Sequence, residues 1–179
     1  FDVKFQNEEN KEEFVWATSW GVSTRLIGAV ILAHGDKKGL RLPPKIAPIQ
    51  VIVVPIYKTD EQKSIVGEYV KSIVNDLEDG DIRYLVDWSD SSPGYKFNDW
   101  ELKGVPIRME IGPRDVESNN AVLARRDSGE KNYIAKDELC VVVKTILKEI
   151  QKELFEKAKL FRNDNTHTVG SYDDFKQII

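Results

Sequence analysis

Arg25 stands where a run of small and hydroxyl-bearing residues gives way to a helix-like apolar stripe. The run is Thr18-Ser19-Trp20-Gly21-Val22-Ser23-Thr24, and the stripe is Leu26, Ile27, Val30 and Ile31. Such a junction suits a polyphosphate. Gly21 permits close backbone approach. Ser23 and the N–H groups of a helix start can donate to anionic oxygens. A guanidinium offers permanently charged, bidentate contacts to phosphate. An ordinary helix-start arginine with its head in solvent would have the same sequence, and this block alone leaves both readings open.

A second chemical cluster spans residues 95–115. Readers of single-stranded RNA splay the bases, stack them on aromatic or guanidinium planes and hydrogen-bond their edges. Tyr95, Phe97 and Trp100 offer stacking faces here. Glu101 and Asp115 are acceptors suited to the amino and imino groups of guanine. Lys103, Arg108 and Arg114 are donors to base O6/N7 or to phosphate. Basic and acidic residues nearly balance between positions 95 and 136, which fits edge reading better than a nonspecific phosphate groove. A solvated loop with surface ion pairs, each worth at most ~1 kcal/mol, is the alternative. Arg125-Arg126 either touches stem phosphates or flanks a turn. His34 falls at a helix C-terminus, where a cation is favourable. His167 sits in a polar tail, and two scattered His with the single Cys140 give no metal-ligand spacing.

Elements must position these residues. Phe1, Val3 and Phe5, then Phe14, Trp16 and Thr18, alternate with polar residues as in a hairpin of two half-buried strands. From Ser23 the period becomes helical, with Gly35 past its end. Residues 39–48 hold three prolines and cannot continue a helix. Residues 49–56 are almost unbroken apolar, as in a strand buried on both faces. A helical stripe from Ile65 to Leu77 follows, closed by Gly80. Short strands are expected at 82–86, 105–111, 121–125 and 132–135, the last two turned at Ser128-Gly129. Residues 91–103 read as a polar loop or short helix. Leu139, Val143, Ile146, Ile150 and Leu154 mark a long final helix to about Phe161. The fold class is therefore α/β, with helices on a mixed sheet in a unit of roughly 100 residues.

The chain has 179 residues, 41% hydrophobic and 31% charged, which excludes a disordered composition. Its net charge of −4 means that any contact with nucleic acid must be local. One cysteine excludes an internal disulfide framework. The longest early apolar run, 26–33, is far short of the roughly 18 residues a membrane span needs, and no signal peptide is recognisable. The opening lacks a Met and starts as if mid-strand, so the polypeptide is expected to be part of a longer one.

The block 18–31 resembles motif 3 of the class II aminoacyl-tRNA synthetases, in the form carried by the prolyl-tRNA synthetases. The resemblance continues through His34-Gly35-Asp36, Gly39-Leu40, Leu42-Pro43-Pro44 and Ala47-Pro48-Ile49-Gln50. It resumes at Trp100-Glu101-Leu102-Lys103-Gly104-Val105-Pro106-Ile107-Arg108 and Glu110-Ile111-Gly112-Pro113-Arg114-Asp115. It covers nearly the whole chain and is nearest to the archaeal and eukaryotic-like type.

The resemblance implies four parts: a strand–helix remnant of an antiparallel catalytic domain (1–42), a linker (43–48), an anticodon-binding domain (49–162) and the start of a C-terminal extension (163–179). It implies a ligase of the cytoplasm that activates L-proline with ATP and Mg2+ and transfers it to tRNA(Pro), commonly as a homodimer. Arg25 would hold ATP and offset the charge that builds at the α-phosphate. Ser23 would contact the nucleotide, and Ser19, Trp20 and Gly21 would lie near the proline pocket. Phe97, Glu101, Lys103, Arg108, Arg114 and Asp115 would read RNA, the proline anticodon having two guanines. No metal site is expected within these residues. Motifs 1 and 2 do not precede Phe1, so this chain alone is expected to be inactive. A four-Cys zinc site, frequent at the C-terminus of this type, does not appear before Ile179. The rival reading is a stand-alone anticodon-like RNA-binding module. A weaker rival, a nucleotide-binding α/β domain, lacks a Gly-rich phosphate loop after residues 49–56.

Overall fold

A computed structural model describes residues 1–178. Two short antiparallel strands, β1 (Lys4–Gln6) and β2 (Glu12–Phe14), open the chain, followed by helix α1 (Arg25–His34). The α/β unit then runs β3 (Val51–Pro55), α2 (Asp60–Asp79), β4 (Tyr84–Val86), α3 (Pro93–Leu102), β5 (Ile107–Ile111), α4 (Pro113–Glu117), β6 (Asn120–Arg125), β7 (Lys131–Ala135) and α5 (Leu139–Asp164). A last helix, α6, covers Tyr172–Ile178. Ile179, the last residue of the segment 163–179 expected to begin a C-terminal extension, lies outside the described residues.

The five strands order as β4-β3-β5-β6-β7. β3 is parallel to both neighbours, β4 and β5, whereas β5–β6 and β6–β7 are antiparallel. This explains the unbroken apolar run: every residue of β3 is buried. Val51 and Val53 face the main core with Ile107, Met109 and Leu123, closed by Val66 and Ile73 of α2 and by Val143 and Ile150 of α5. Ile52 and Val54 face the other way, into a small second core with Val105, Phe97 and Trp100. Alternation along one strand thus sends α2 and α5 to one side and α3 to the other.

Two helix starts follow from capping chemistry. The Thr59 hydroxyl accepts from the Gln62 amide at 3.2 Å, and the Ser92 hydroxyl from the Tyr95 amide at 3.4 Å, with Pro93 at the first helical position.

Several expectations need correction. All six residues of β1 and β2 are exposed, so the opening hairpin is not half-buried. β2 stops at Phe14, and residues 15–23 have no regular structure, so no strand runs into the block at Thr18. Of the two readings of residues 91–103 the short helix is the one found, as α3 over Pro93–Leu102. The final helix continues past Phe161 to Asp164. α4 has no counterpart in the sequence reading: five residues are too few for a periodic stripe.

Candidate RNA interface and the block around Arg25

The face of the sheet opposite α2 and α5 is only partly covered. α3 lies over β3 on that face. Strand register sets what remains over β5, β6 and β7. Arg108 pairs with Ala124, which pairs with Lys131. Glu110 pairs with Val122, which pairs with Tyr133. Side chains of directly paired residues lie on one face. Two rows of side chains therefore run across the sheet beside α3.

Phe97 of α3 leans over the first row. The Arg108 guanidinium lies 4.2 Å from its ring centroid and the Lys131 ammonium 5.5 Å. Arg108 also donates to Glu110 Oε1 from Nε (3.0 Å) and Nη2 (2.9 Å). Lys131 Nζ donates to both oxygens of the same carboxylate, at 2.8 and 3.2 Å. Glu110 is buried, so two cations share one anion and the cluster keeps a positive excess. Tyr133 is 73% exposed at the end of the second row. A cavity of about 200 Å³ opens at this place, among Trp100, Glu101, Arg108, Arg126 and Lys131. A flat face, fork-shaped donors and acceptors around one concavity are what recognition of a splayed base requires.

The sequence-level candidates divide on this geometry. Phe97 and Arg108 meet directly. Glu101 lines the same cavity, with Oε1 held by Lys38 Nζ at 3.0 Å. Lys103 lies at the end of α3, 4.2 Å above the Trp100 ring and paired with Asp99 at 2.7 Å. Trp100 is fixed by the fold: its indole N–H donates to Asp87 Oδ2 at 2.7 Å, and Lys103 lies over its ring as Arg108 lies over that of Phe97. That bond helps to hold the Asp87 carboxyl below its ordinary pKa against the opposing effect of burial. Arg114 and Asp115 lie on α4, which packs against α2 and β6. Asp115 Oδ2 accepts from the Gly112 amide at 2.8 Å and so caps its own helix. No hydrogen bond, ion pair or ring contact among the described residues links Arg114 or Asp115 to Phe97.

Lys131, Glu110 and Tyr133 were not among the sequence candidates. A signal for two of them was present: in Lys131-Asn132-Tyr133-Ile134 the first and third residues alternate with the core residue Ile134. What placed them beside Phe97 was the order of the strands. Arg125 points away from this face, to Asp127, Glu149 and Glu153 at 2.8, 3.1 and 3.0 Å. Arg126 points inward, to Asp36.

The first block is a separate matter. Thr24 precedes α1, and Arg25 is its first residue. The Arg25 amide donates to the Ser23 hydroxyl at 3.4 Å. Ser19, Trp20 and Gly21 lie in irregular, exposed backbone, and a Cβ at Gly21 would meet open space. None of the α1 residues is buried, although Leu26, Ile27, Ile31 and Leu32 are apolar. His34 ends the helix with its pKa lowered by burial, so its cationic form is disfavoured there. Among the described residues no group of three or more His, Cys, Asp or Glu side chains could hold a metal, and no helix is long and apolar enough to cross a membrane.

Comparison with known proteins gives two findings. A family model described as an anticodon binding domain matches residues 50–146. Among curated relatives, a proline–tRNA ligase of Bacteroides fragilis is 50% identical over 180 residues, taking in 100% of this chain and 36% of the relative. A proline–tRNA ligase of Christiangramia forsetii is 47% identical, over 100% of this chain and 37% of the relative. One of Roseiflexus sp. is 46% identical, over 99% and 38%. The chain spans little more than a third of the length of these relatives.

Proposed function

The chain belongs to the anticodon binding domain family, and from that premise we propose that it is the anticodon-reading part, with an adjoining piece of the catalytic domain, of a proline–tRNA ligase. The single observation that carries the reading is the Phe97–Arg108–Lys131 cluster over an open sheet face, inside the segment that matches the family. Identity of about half to proline–tRNA ligases along the entire chain supports the choice of amino acid.

In this reading the whole protein condenses L-proline with ATP and transfers the prolyl group to tRNA(Pro). A base of the anticodon loop stacks on Phe97. Arg108 and Lys131 supply donors to guanine O6 and N7 or to the adjoining phosphate, and Glu101 accepts from the guanine N1–H and amino group. Lys103 and Arg114 position the RNA backbone, and Asp115 contributes through the cap of α4. Residues 1–42 belong to the catalytic domain, 43–48 join it to the anticodon domain at 49–162, and 163–179 begin a further part. Arg25 holds the triphosphate and offsets the charge that grows at the α-phosphorus as the proline carboxylate attacks it. Ser23 contacts the nucleotide, and Ser19, Trp20 and Gly21 border the amino-acid pocket. Mg2+ would accompany the ATP in the whole protein, and among the described residues no group of three or more His, Cys, Asp or Glu side chains could hold it. Location in the cytoplasm and pairing as a homodimer complete the proposal.

The test is proline-dependent ATP–pyrophosphate exchange by the intact protein, followed by charging of tRNA(Pro). Arg25→Ala is expected to lower exchange by about 10²–10³-fold, the scale for losing a positioned charge-stabilising donor. Exchange driven by another amino acid, or near-normal exchange by the variant, would overturn the reading.

A further inference from the structure

The stretch between α1 and β3 is fastened to the RNA-side face by a set of interlocking contacts. Asp36 follows the cap residue of α1, and its amide donates to the Gly39 carbonyl at 3.0 Å. Its carboxylate receives both Nη groups of Arg126, at 3.0 and 2.7 Å, and Arg41 Nη2 at 2.6 Å. The Arg126 side chain is only 5% exposed. Its Nε donates to the Glu101 carbonyl at 2.8 Å, and its amide to the Pro106 carbonyl at 2.9 Å. The Leu40 amide reaches the Leu102 carbonyl at 2.9 Å, and the Leu42 amide the Gly104 carbonyl at 3.1 Å. Two glycines make the approach possible. Gly39 (φ +129°) and Gly104 (φ +75°) each leave a space in which a Cβ would come within 2.5 Å of Leu102 or Leu40 backbone. Residues 36–42 are therefore a strap laid against the end of α3, not a loose tether.

Arg126 is the joint of this strap. One guanidinium holds Asp36, next to the end of α1, and Glu101, on the last turn of the helix that carries Phe97. Glu101 is bound twice, by its carbonyl to Arg126 and by its carboxylate to Lys38 of the same strap. A shift of Glu101 toward an RNA base must therefore be felt at Asp36. We infer that Asp36 is a positioning residue that couples occupancy of the RNA groove to the placement of α1, and through α1 to Arg25. The inference rests on the ligase reading but assigns a role to Asp36, which lines neither the RNA cavity nor the block around Arg25. A fork of two hydrogen bonds to a nearly buried guanidinium gives this joint one defined geometry, which energetic coupling needs.

The test uses the intact protein and Asp36→Asn, which keeps the shape of the side chain and removes its charge. Proline-dependent exchange and the KM for tRNA(Pro) should stay unchanged. The kcat of charging should fall roughly tenfold for tRNA(Pro) and far less for a tRNA with altered anticodon guanines, within the span coupled sites display. The preference between the two tRNAs should therefore shrink in kcat. Asp36→Glu, which keeps the charge but displaces the fork, should do the same and serves if Asp36→Asn melts early. An undiminished kcat preference in both variants would overturn the inference, as would equal losses in exchange and in charging of either tRNA. Absence of exchange in the unaltered protein would overturn the ligase reading instead, and this inference with it.

Discussion

Phe97 and Arg108 lie at the centre of the proposed RNA site, and the chemistry asked of them differs. Stacking on Phe97 is tolerant of sequence, worth about 1–3 kcal/mol per base. Phe97→Ala should therefore weaken loop RNA by that amount whatever the base, as read by titration. Arg108→Ala should instead reduce the preference for guanine, because a bidentate donor is lost. At Asp36 the hydrogen bonds from Arg126 hold the carboxyl far below the usual carboxylate range, with burial opposing. A lowered folded pKa gives stability that is complete above the unfolded pKa and is lost as pH falls through the folded value. The gap in urea midpoint between the native protein and Asp36→Asn should hold steady at neutral pH and narrow below about 4, near the unfolded carboxylate pKa. A gap that widened on acidification would contradict this pairing. The aromatic and basic character of this site was legible in the sequence. The pinning of Trp100 by Asp87 was not, because thirteen residues separate them and only the fold brings them together.

Among the elements, β3 and α2 were legible because their patterns have physical necessity. A strand with parallel neighbours and helices on both faces has no polar side to show. α4 escaped because five residues give no period, and its cap is a local bond between Asp115 and Gly112. The strap escaped for the opposite reason: three prolines nearby read as a breaker, while its fixed geometry comes from bonds to α3 more than sixty residues on. Glycine substitutions separate backbone strain from contact. Gly129 (φ +76°) has open space around a Cβ, whereas Gly104 (φ +75°) faces Leu40 at 2.5 Å. Gly129→Ala should cost only the left-handed strain, about 1–2 kcal/mol. Gly104→Ala should cost clearly more in a denaturant melt, and equal costs would mean that the strap yields freely.

Across the whole molecule, a net charge of −4 sets the kind of RNA binding that is possible. Each phosphate neutralised on a single strand contributes roughly −0.7 to the slope of log K against log salt. Lys103 and Arg114 on the backbone, with Arg108 and Lys131 beside Glu110, make at most four such contacts, so the slope should be no steeper than about −2.8. A much steeper slope would point to a phosphate groove elsewhere. The most direct measurement is binding of this domain to a tRNA(Pro) anticodon stem-loop, beside stem-loops with each of the two guanines replaced by adenine. Base reading predicts that at least one replacement weakens binding about tenfold or more, the effect of losing a good bidentate contact, and that Arg108→Ala shrinks the difference. Equal affinity for all three loops would contradict anticodon reading by this face.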